Sequence, residues 1–260
     1  MTAPAPVHYS ARPDGLKLAY RYTAPASDVP GGPARPTLVF LPGYMSDMAG
    51  SKAGALFDWA VSAGQGCLLL DYAGCGESEG DFRDGTLISW RDDVLAVADA
   101  VLGPDAPLLL VGSSMGGWLM LLVALARPAQ VKGLVGIAAA PDFTGWGFDD
   151  AQKALFRSGG TLEEPSDYSD DPYVTTAAFW QSGEANHLLD GPIALDVPVR
   201  LLHGQADSDV PWEISLRLAA ALRSSDVQTH LIKDGDHRLS REGDIKLLLA
   251  TVSDMLALIG

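Results

Sequence analysis

The chain has 260 residues, 47% of them hydrophobic and 20% charged, which is the composition of one sizeable folded domain and not of a disordered chain. Its formal net charge of −15 opposes binding to phosphate backbones and to anionic membranes, so we expect no nucleic-acid partner. Two cysteines in a chain of this length do not make a disulfide framework.

The N-terminus and the apolar runs bear on targeting. Residues 1–7 read MTAPAPV and lack both the charged and the apolar region of a secretory signal. The longest apolar run, Trp118 to Ala126, is too short to cross a bilayer. The sequence therefore predicts a cytoplasmic protein without a membrane span.

The predicted elements begin with an edge hairpin. Val7 to Thr23 alternates polar and apolar residues around an Asp14-Gly15 turn, which is typical of two antiparallel strands. The Pro- and Gly-rich stretch Ala24 to Pro36 is predicted to be an exposed loop.

Short apolar strands then alternate with helical patterns. The predicted strands are Thr37 to Leu41, Cys67 to Asp71, Leu108 to Val111, Val131 to Ala138, Val199 to Leu202 and Thr229 to Ile232. The predicted helices are Met48 to Ser62, Leu87 to Leu102, Gly117 to Ala126, Pro211 to Leu222 and Ile245 to Leu258. This alternation predicts a single α/β domain over residues 1–260, with a mostly parallel central sheet and helices on both faces.

One segment interrupts the alternation. Residues 142–196 fall between two predicted core strands and include several aromatic side chains. Because a structureless connection of that length is rare in a compact domain, we predict a helical cap insertion over the strand ends, where open α/β sheets bind ligands.

The pattern G-x-S-x-G occurs twice, around Ser78 and around Ser114. A nucleophilic serine in this motif needs a strand before it and a helix after it, because it stands on a sharp turn between the two. Ser114 follows Leu108 to Val111 and precedes an apolar helical run, whereas Ser78 is followed by a charged loop. The sequence therefore predicts Ser114 as the nucleophile and Ser78 as a loop residue.

A serine nucleophile needs a base, and in this strand arrangement the partners follow it in the order acid, then histidine. His237 lies in the loop after the last predicted strand, where a side chain can reach Ser114. The loop after the preceding strand offers Asp207 and Asp209. Asp209 is close to the start of a helix, where the helix N-terminus would stabilise its carboxylate. Because that would be a structural role, spacing only mildly favours Asp207 as the acid.

Two backbone amides would complete the site by binding an oxyanion. Met115 follows the predicted nucleophile at a helix N-terminus, and Tyr44 lies in the Pro42-Gly43 loop after the first core strand. We find no Walker loop, no dinucleotide fingerprint and no His/Cys cluster, so no cofactor and no metal are expected.

These segments together resemble a known family. The stretches Leu41 to Tyr44, Asp71 to Ser78, Gly112 to Met120, Leu201 to Gly204 with Val210 to Trp212, and Asp236 to Arg238 are similar to the mitochondrial palmitoyl-protein thioesterase and acyl-glucuronide esterase branch of the α/β-hydrolase superfamily.

The resemblance implies a triad of Ser114, Asp207 and His237, which selects Asp207 over Asp209. It also implies activity on acyl thioesters or carboxylic esters. Without a mitochondrial transit peptide, the chain is expected to be a bacterial-type relative. The aromatic cap favours a small-molecule or acylated substrate with a hydrophobic acyl group.

Two alternatives remain at this point. A peptidase or a C–C bond hydrolase would use the same triad. A non-hydrolytic binding protein of the same fold would use the capped pocket as a receptor. Oligomeric state is not readable from the sequence.

Overall fold

The computed structural model describes residues 5–26, 35–165 and 172–260. The central strands in chain order are β1 His8–Ala11, β2 Lys17–Thr23, β3 Thr37–Leu41, β4 Cys67–Leu70, β5 Leu108–Ser113, β6 Val131–Ile137, β9 Val199–Gly204 and β10 Val227–Ile232. The helices that flank them are α1 Ser51–Ala63, α2 Leu87–Leu102, α3 Met115–Ala126, α7 Glu213–Ala221 and α8 Glu242–Ile259.

The eight strands form one sheet in the order β1-β2-β4-β3-β5-β6-β9-β10. The β1–β2 and β2–β4 pairs are antiparallel, and every other pair is parallel. This arrangement confirms the predicted α/β class and places the predicted hairpin at the sheet edge. Most of the predicted Ala24 to Pro36 loop, residues 27–34, lies outside the described residues.

The alternation of side chains along each strand divides the core between the two faces of the sheet. On β3, Val39 and Leu41 pack with residues of α2 and α3, while Leu38 and Phe40 pack with residues of α1 and α8. Because successive strand residues point to opposite faces, fully apolar strands are needed to cover both. All five residues of β3 are accordingly buried.

Several boundaries differ from the prediction by a few residues, and local hydrogen bonds explain one of them. Helix α1 begins at Ser51 and not at Met48. The Met48 amide instead donates to Asp71 Oδ1 at 2.7 Å, and the Ala49 amide donates to Asp47 Oδ1 at 2.8 Å. These carboxylates hold the chain in a turn until Gly50, after which the helix starts.

The segment between β6 and β9 contains helices and a strand pair. Its elements are α4 Phe143–Trp146, α5 Asp150–Arg157, β7 Thr161–Glu164, β8 Tyr173–Thr176 and α6 Ala177–Glu184. Strands β7 and β8 pair with each other in an antiparallel two-stranded sheet. β-branched and aromatic residues in β8 favour this extended conformation over a helix. Residues 166–171, including the predicted cap residue Tyr168, lie outside the described residues.

A buried carboxylate joins the two ends of this segment. Asp142, at its start, accepts hydrogen bonds from the amides of Leu188 (2.8 Å) and Leu189 (2.6 Å) near its end. Asp142 has a φ of 60°, a conformation that aspartate tolerates better than alanine does. These bonds fix where the segment leaves the sheet and where it returns.

We predict that Asp142→Ala lowers the free energy of unfolding by about 2–3 kcal/mol, because it leaves two partly buried amides without an acceptor and puts alanine at a positive φ. Asp190→Ala is the matched control: that carboxylate is 81% exposed, and we expect a change within about 0.5 kcal/mol. Urea denaturation of both variants measures the difference. Equal stabilities would contradict the role assigned to Asp142.

Candidate active site

Ser114 stands on a sharp turn between β5 and α3. Its φ of 54° and ψ of −121° are rare for a residue with a side chain. Such strain persists only where the surroundings enforce it. Here the strand and the helix are so close that a Cβ at Gly112 would lie 2.3 Å from the Gly116 carbonyl oxygen. The small residues of the G-x-S-x-G motif are therefore a requirement of this turn.

The second G-x-S-x-G serine has a structural role. The Ser78 hydroxyl donates to the Asp71 carbonyl oxygen at 2.8 Å and accepts from the Ala19 amide at 2.8 Å. It joins the loop after β4 to strand β2, and no helix follows it directly. The two serines thus differ in their surroundings as the flanking residues predicted: Ser114 lies between a strand and a helix, and Ser78 lies in a loop.

His237 lies between Ser114 and Asp207. Its Nε2 is 3.1 Å from Ser114 Oγ, and its Nδ1 is 2.9 Å from Asp207 Oδ2. These are hydrogen-bond distances. The loops after β5, β9 and β10 supply the three side chains, because parallel strands end at the same edge of the sheet.

Of the two aspartates that spacing left open, Asp207 is the one whose carboxylate is hydrogen-bonded to His237. Its side chain is fully buried, and its Oδ1 accepts from the amides of Asp209 (2.9 Å) and Val210 (2.8 Å). Burial by itself raises the pKa of Asp207, but hydrogen bonds from His203 and His237 bring that pKa well below its usual value. Asp209 is exposed and lies on the wall of the adjacent pocket.

The residues of the predicted oxyanion donors, Tyr44 and Met115, line the same pocket as Ser114. Within the described ranges, the amides of Tyr44 and Met115 donate no hydrogen bond, so both are available to a ligand. Met115 opens helix α3, where the helix dipole favours negative charge. Gly43 brings the Tyr44 loop close, since a Cβ there would lie 3.3 Å from Ser114 Cβ.

The Tyr44 loop is also bonded to the segment between β6 and β9. The Tyr44 hydroxyl donates to the Val174 carbonyl at 2.6 Å, and the Val174 amide donates to Met45 Sδ at 3.3 Å. The ring of Tyr44 contacts five other aromatic rings, which are Phe82, Trp90, Phe143, Tyr173 and Phe179. Burial raises the pKa of the Tyr44 hydroxyl, which therefore stays protonated as a donor. The sequence predicts Tyr44 only as an amide donor, and no local pattern indicates this side-chain contact.

A pocket of about 630 Å³ opens beside Ser114 and His237. Part of its wall is apolar and comes largely from the β6–β9 segment, with Phe143, Trp146 and Phe148. Another part comes from the start of α1 and the His237 loop and is polar, with Ser51, Lys52, Arg238 and Ser240.

Lys52 was missed in the sequence analysis because nothing distinguishes it from a solvent-exposed helix lysine. Its Nζ donates to the Arg238 carbonyl, next to His237, so α1 supports the histidine loop. Burial, followed by the charge of Arg238, lowers the pKa of Lys52 to about 8. A second contact between the same elements joins Ser51 Oγ and Ser240 Oγ at 3.2 Å.

Two further histidines have other surroundings. His187 in the β6–β9 segment is 3.0 Å from Glu184, and His230 is exposed on edge strand β10. Across residues 5–26, 35–165 and 172–260, no three His, Cys, Asp or Glu side chains are grouped to hold a metal. In the same ranges no helix is both long and apolar enough to cross a membrane.

The sheet order, the strained turn at Ser114 and the loops that meet there define an α/β hydrolase. A protein family described as serine aminopeptidase, S33, matches residues 32–159. Human mitochondrial palmitoyl-protein thioesterase ABHD10 is 39% identical over 249 residues, which cover 94% of this chain and 78% of that protein.

Solved structures of other hydrolases have the same fold. The structure of alpha/beta hydrolase domain-containing protein 10 from mouse superposes with a TM-score of 0.87 at 36% identity, and a putative hydrolase from Agrobacterium vitis S4 with 0.87 at 40%. Each comparison covers 98% of this chain and 100% of the other. The chain belongs to the family of palmitoyl-protein thioesterase ABHD10, and it is a hydrolase of the thioesterase/esterase type.

Proposed function

We propose that this protein hydrolyses carboxylic esters or acyl thioesters through an acyl-enzyme on Ser114, with His237 as the general base and Asp207 as the triad acid. The observation that carries the proposal is the continuous hydrogen-bonded chain from Ser114 Oγ through His237 to Asp207 Oδ2, at 3.1 Å and 2.9 Å, beside an open pocket. A serine hydroxyl is a weak nucleophile and becomes effective when a base of this kind accepts its proton.

In the first half of the reaction, Ser114 Oγ attacks the acyl carbonyl carbon and its proton passes to His237 Nε2. The carbonyl oxygen becomes an oxyanion, which accepts hydrogen bonds from the Tyr44 and Met115 amides. The bond from the acyl carbon to the leaving oxygen or sulfur then breaks, and the leaving atom takes the proton from His237 Nε2.

In the second half, a water molecule gives its proton to His237 Nε2 and attacks the acyl carbon. The bond to Ser114 Oγ breaks, and Ser114 recovers the proton as the carboxylic acid leaves. Asp207 stays ionised throughout. It holds the Nδ1–H tautomer of His237 and stabilises the imidazolium that forms twice in each cycle.

We further propose that residues 142–196 act as a cap that selects a hydrophobic acyl group. Phe143, Trp146 and Phe148 supply the apolar wall of the pocket, and the polar wall would then face the leaving group. The relatives are named palmitoyl-protein thioesterases, which is consistent with a long acyl chain on that wall. The substrate class would be a small molecule or an acylated partner.

Cellular location remains a prediction. The sequence favours a cytoplasmic protein, while the relatives at about 39% identity are named as mitochondrial. The charge of −15 continues to argue against a nucleic-acid partner.

We predict that a fluorophosphonate probe labels this protein at Ser114, and that Ser114→Ala abolishes labelling because no other serine is paired with His237 among the described residues. Peptide mass spectrometry locates the adduct. Ser78→Ala is the matched control from the second G-x-S-x-G motif and should still be labelled. An adduct that survives Ser114→Ala would refute the proposed nucleophile.

We expect Asp207→Asn to lower kcat about 10⁴-fold, since an amide in that place holds the wrong tautomer of His237. Asp209→Asn, two residues away, should cost less than about tenfold, because His237 Nδ1 is bonded to Asp207. Steady-state hydrolysis of p-nitrophenyl esters measures both variants. A larger loss for Asp209→Asn would reverse the assignment of the acid.

Acyl length should control activity. Each methylene buried against the apolar wall contributes about 0.8 kcal/mol, so kcat/KM should rise up to about fourfold per carbon until the pocket is filled. The measurement is a series of p-nitrophenyl esters from acetyl to palmitoyl, with matched thioesters. A series that peaks at acetyl would contradict a hydrophobic acyl site.

A peptidase is the second candidate, because the matching family is described as serine aminopeptidase and the same triad would serve it. Aminoacyl p-nitroanilides, assayed beside the esters, separate the two. Turnover of the anilides with inert esters would favour the peptidase. No turnover of any substrate would favour a binding protein.

A further inference from the structure

A second histidine lies behind the triad acid. His203, in strand β9, is fully buried, and its Nε2 is 3.2 Å from Asp207 Oδ2, the same oxygen that faces His237. The same Nε2 is 3.1 Å from the Val210 carbonyl oxygen. On the other side of the ring, Nδ1 is 2.6 Å from Ser215 Oγ in helix α7.

These contacts assign the ring's hydrogens. The Val210 carbonyl oxygen only accepts hydrogen bonds, so Nε2 must bear the hydrogen that it donates there. The same nitrogen lies 3.2 Å from Asp207 Oδ2, which also only accepts. Nδ1 then accepts from the Ser215 hydroxyl, which is able to donate. A neutral imidazole satisfies all three partners, and no second charge has to be buried beside Asp207.

The arrangement closes a ring of contacts around the acid. The Val210 amide donates to Asp207 Oδ1 at 2.8 Å, while the Val210 carbonyl accepts from His203. Backbone amides thus fix one oxygen of the carboxylate. His203 fixes the other, and without it Oδ2 would keep only His237 as a partner in the described part of the chain.

Rotation of a carboxylate with one fixed oxygen would move Oδ2 away from His237 Nδ1. Positioning within about half an ångström is what such a catalytic contact needs. A ring locked between α7 and the 207–210 turn supplies that constraint, since α7 follows the same turn and packs against the sheet.

We propose that His203 is a positioning residue that sets the orientation of Asp207 toward His237 and thereby tunes catalysis without touching the substrate. The proposal rests on the proposed function, in which Asp207 is the triad acid. It gives a role to a buried histidine that does not contact Ser114.

The experiment compares His203→Gln with His203→Asn. A glutamine amide reaches the place of Nε2 and keeps the donor, while an asparagine amide stops near Nδ1 and loses it. We expect His203→Asn to lower kcat for p-nitrophenyl esters by about tenfold or more with KM within twofold, and His203→Gln to recover most of the loss. If His203 only stabilised the fold, kcat would not fall while KM stayed unchanged, and His203→Gln would not recover the activity that His203→Asn loses.

The ¹H NMR resonance of His237 Nδ1–H provides a readout that does not need a substrate. It should shift or broaden in His203→Asn and return in His203→Gln. If His203→Asn does not fold, Ser215→Ala replaces it as the test variant. Because this substitution removes the partner of His203 Nδ1, it should lower kcat by a few-fold, again with KM unchanged.

Wild-type kcat and an unchanged resonance in His203→Asn would overturn the proposal. So would equal losses in both histidine variants that follow their melting temperatures. An inactive wild type, or activity that survives Ser114→Ala, would instead refute the proposed function, and the resonance would still decide whether His203 orients Asp207.

Discussion

The close approach of Gly116 to the end of β3 is the contact on which the geometry around Ser114 depends. A Cβ at Gly116 would lie 2.1 Å from the Leu41 carbonyl oxygen and 2.5 Å from that of Pro42. Strands β3 and β5 are parallel neighbours with Leu41 opposite Gly112, so both end at the same level. Helix α3 can therefore start close to the Tyr44 loop, and the amides of Tyr44 and Met115, which have no partner in the described part of the chain, line one pocket with Ser114.

The groups that stabilise the buried carboxylate of Asp207 determine how its negative charge acts on the rest of the site. In the described residues, Asp207 is held by two backbone amides and two imidazoles, and no lysine or arginine forms an ion pair with it. A fixed cation would neutralise the carboxylate permanently. Neutral donors keep it ionised while leaving its charge to act on His237, the group whose protonation would change during the proposed reaction.

The alternation of apolar strands and helical patterns predicted the fold class because it reflects burial on both faces of a parallel sheet. The turn at Ser114 was predictable for a different reason: a strand and a helix can meet so closely only where the residues beside the serine are small. Ser114 and His237 meet as the sequence order predicted, and the aspartate bonded to His237 is Asp207, the one that the family resemblance implied; their catalytic roles remain predictions. The Ser78 motif shows that the pattern alone is insufficient, since its hydroxyl is occupied by backbone groups.

The contacts that sequence reasoning missed are those between elements distant along the chain. Lys52 and Arg238 are 186 positions apart, and Tyr44 and Val174 are 130 apart. No local pattern encodes them. The strand pair β7–β8 was also unforeseen, because short segments rich in threonine and glutamate resemble loops.

The bonds between the Tyr44 loop and Val174 use the carbonyl and the amide of residue 174, not its side chain. Substitutions in β8 therefore leave the attachment intact as long as the strand keeps its backbone path. The lining of the pocket is free to diverge among descendants of this fold while the loop beside Ser114 stays anchored. Main-chain attachment thus separates the geometry of the loop beside Ser114 from the side chains that line the pocket, which can change without it.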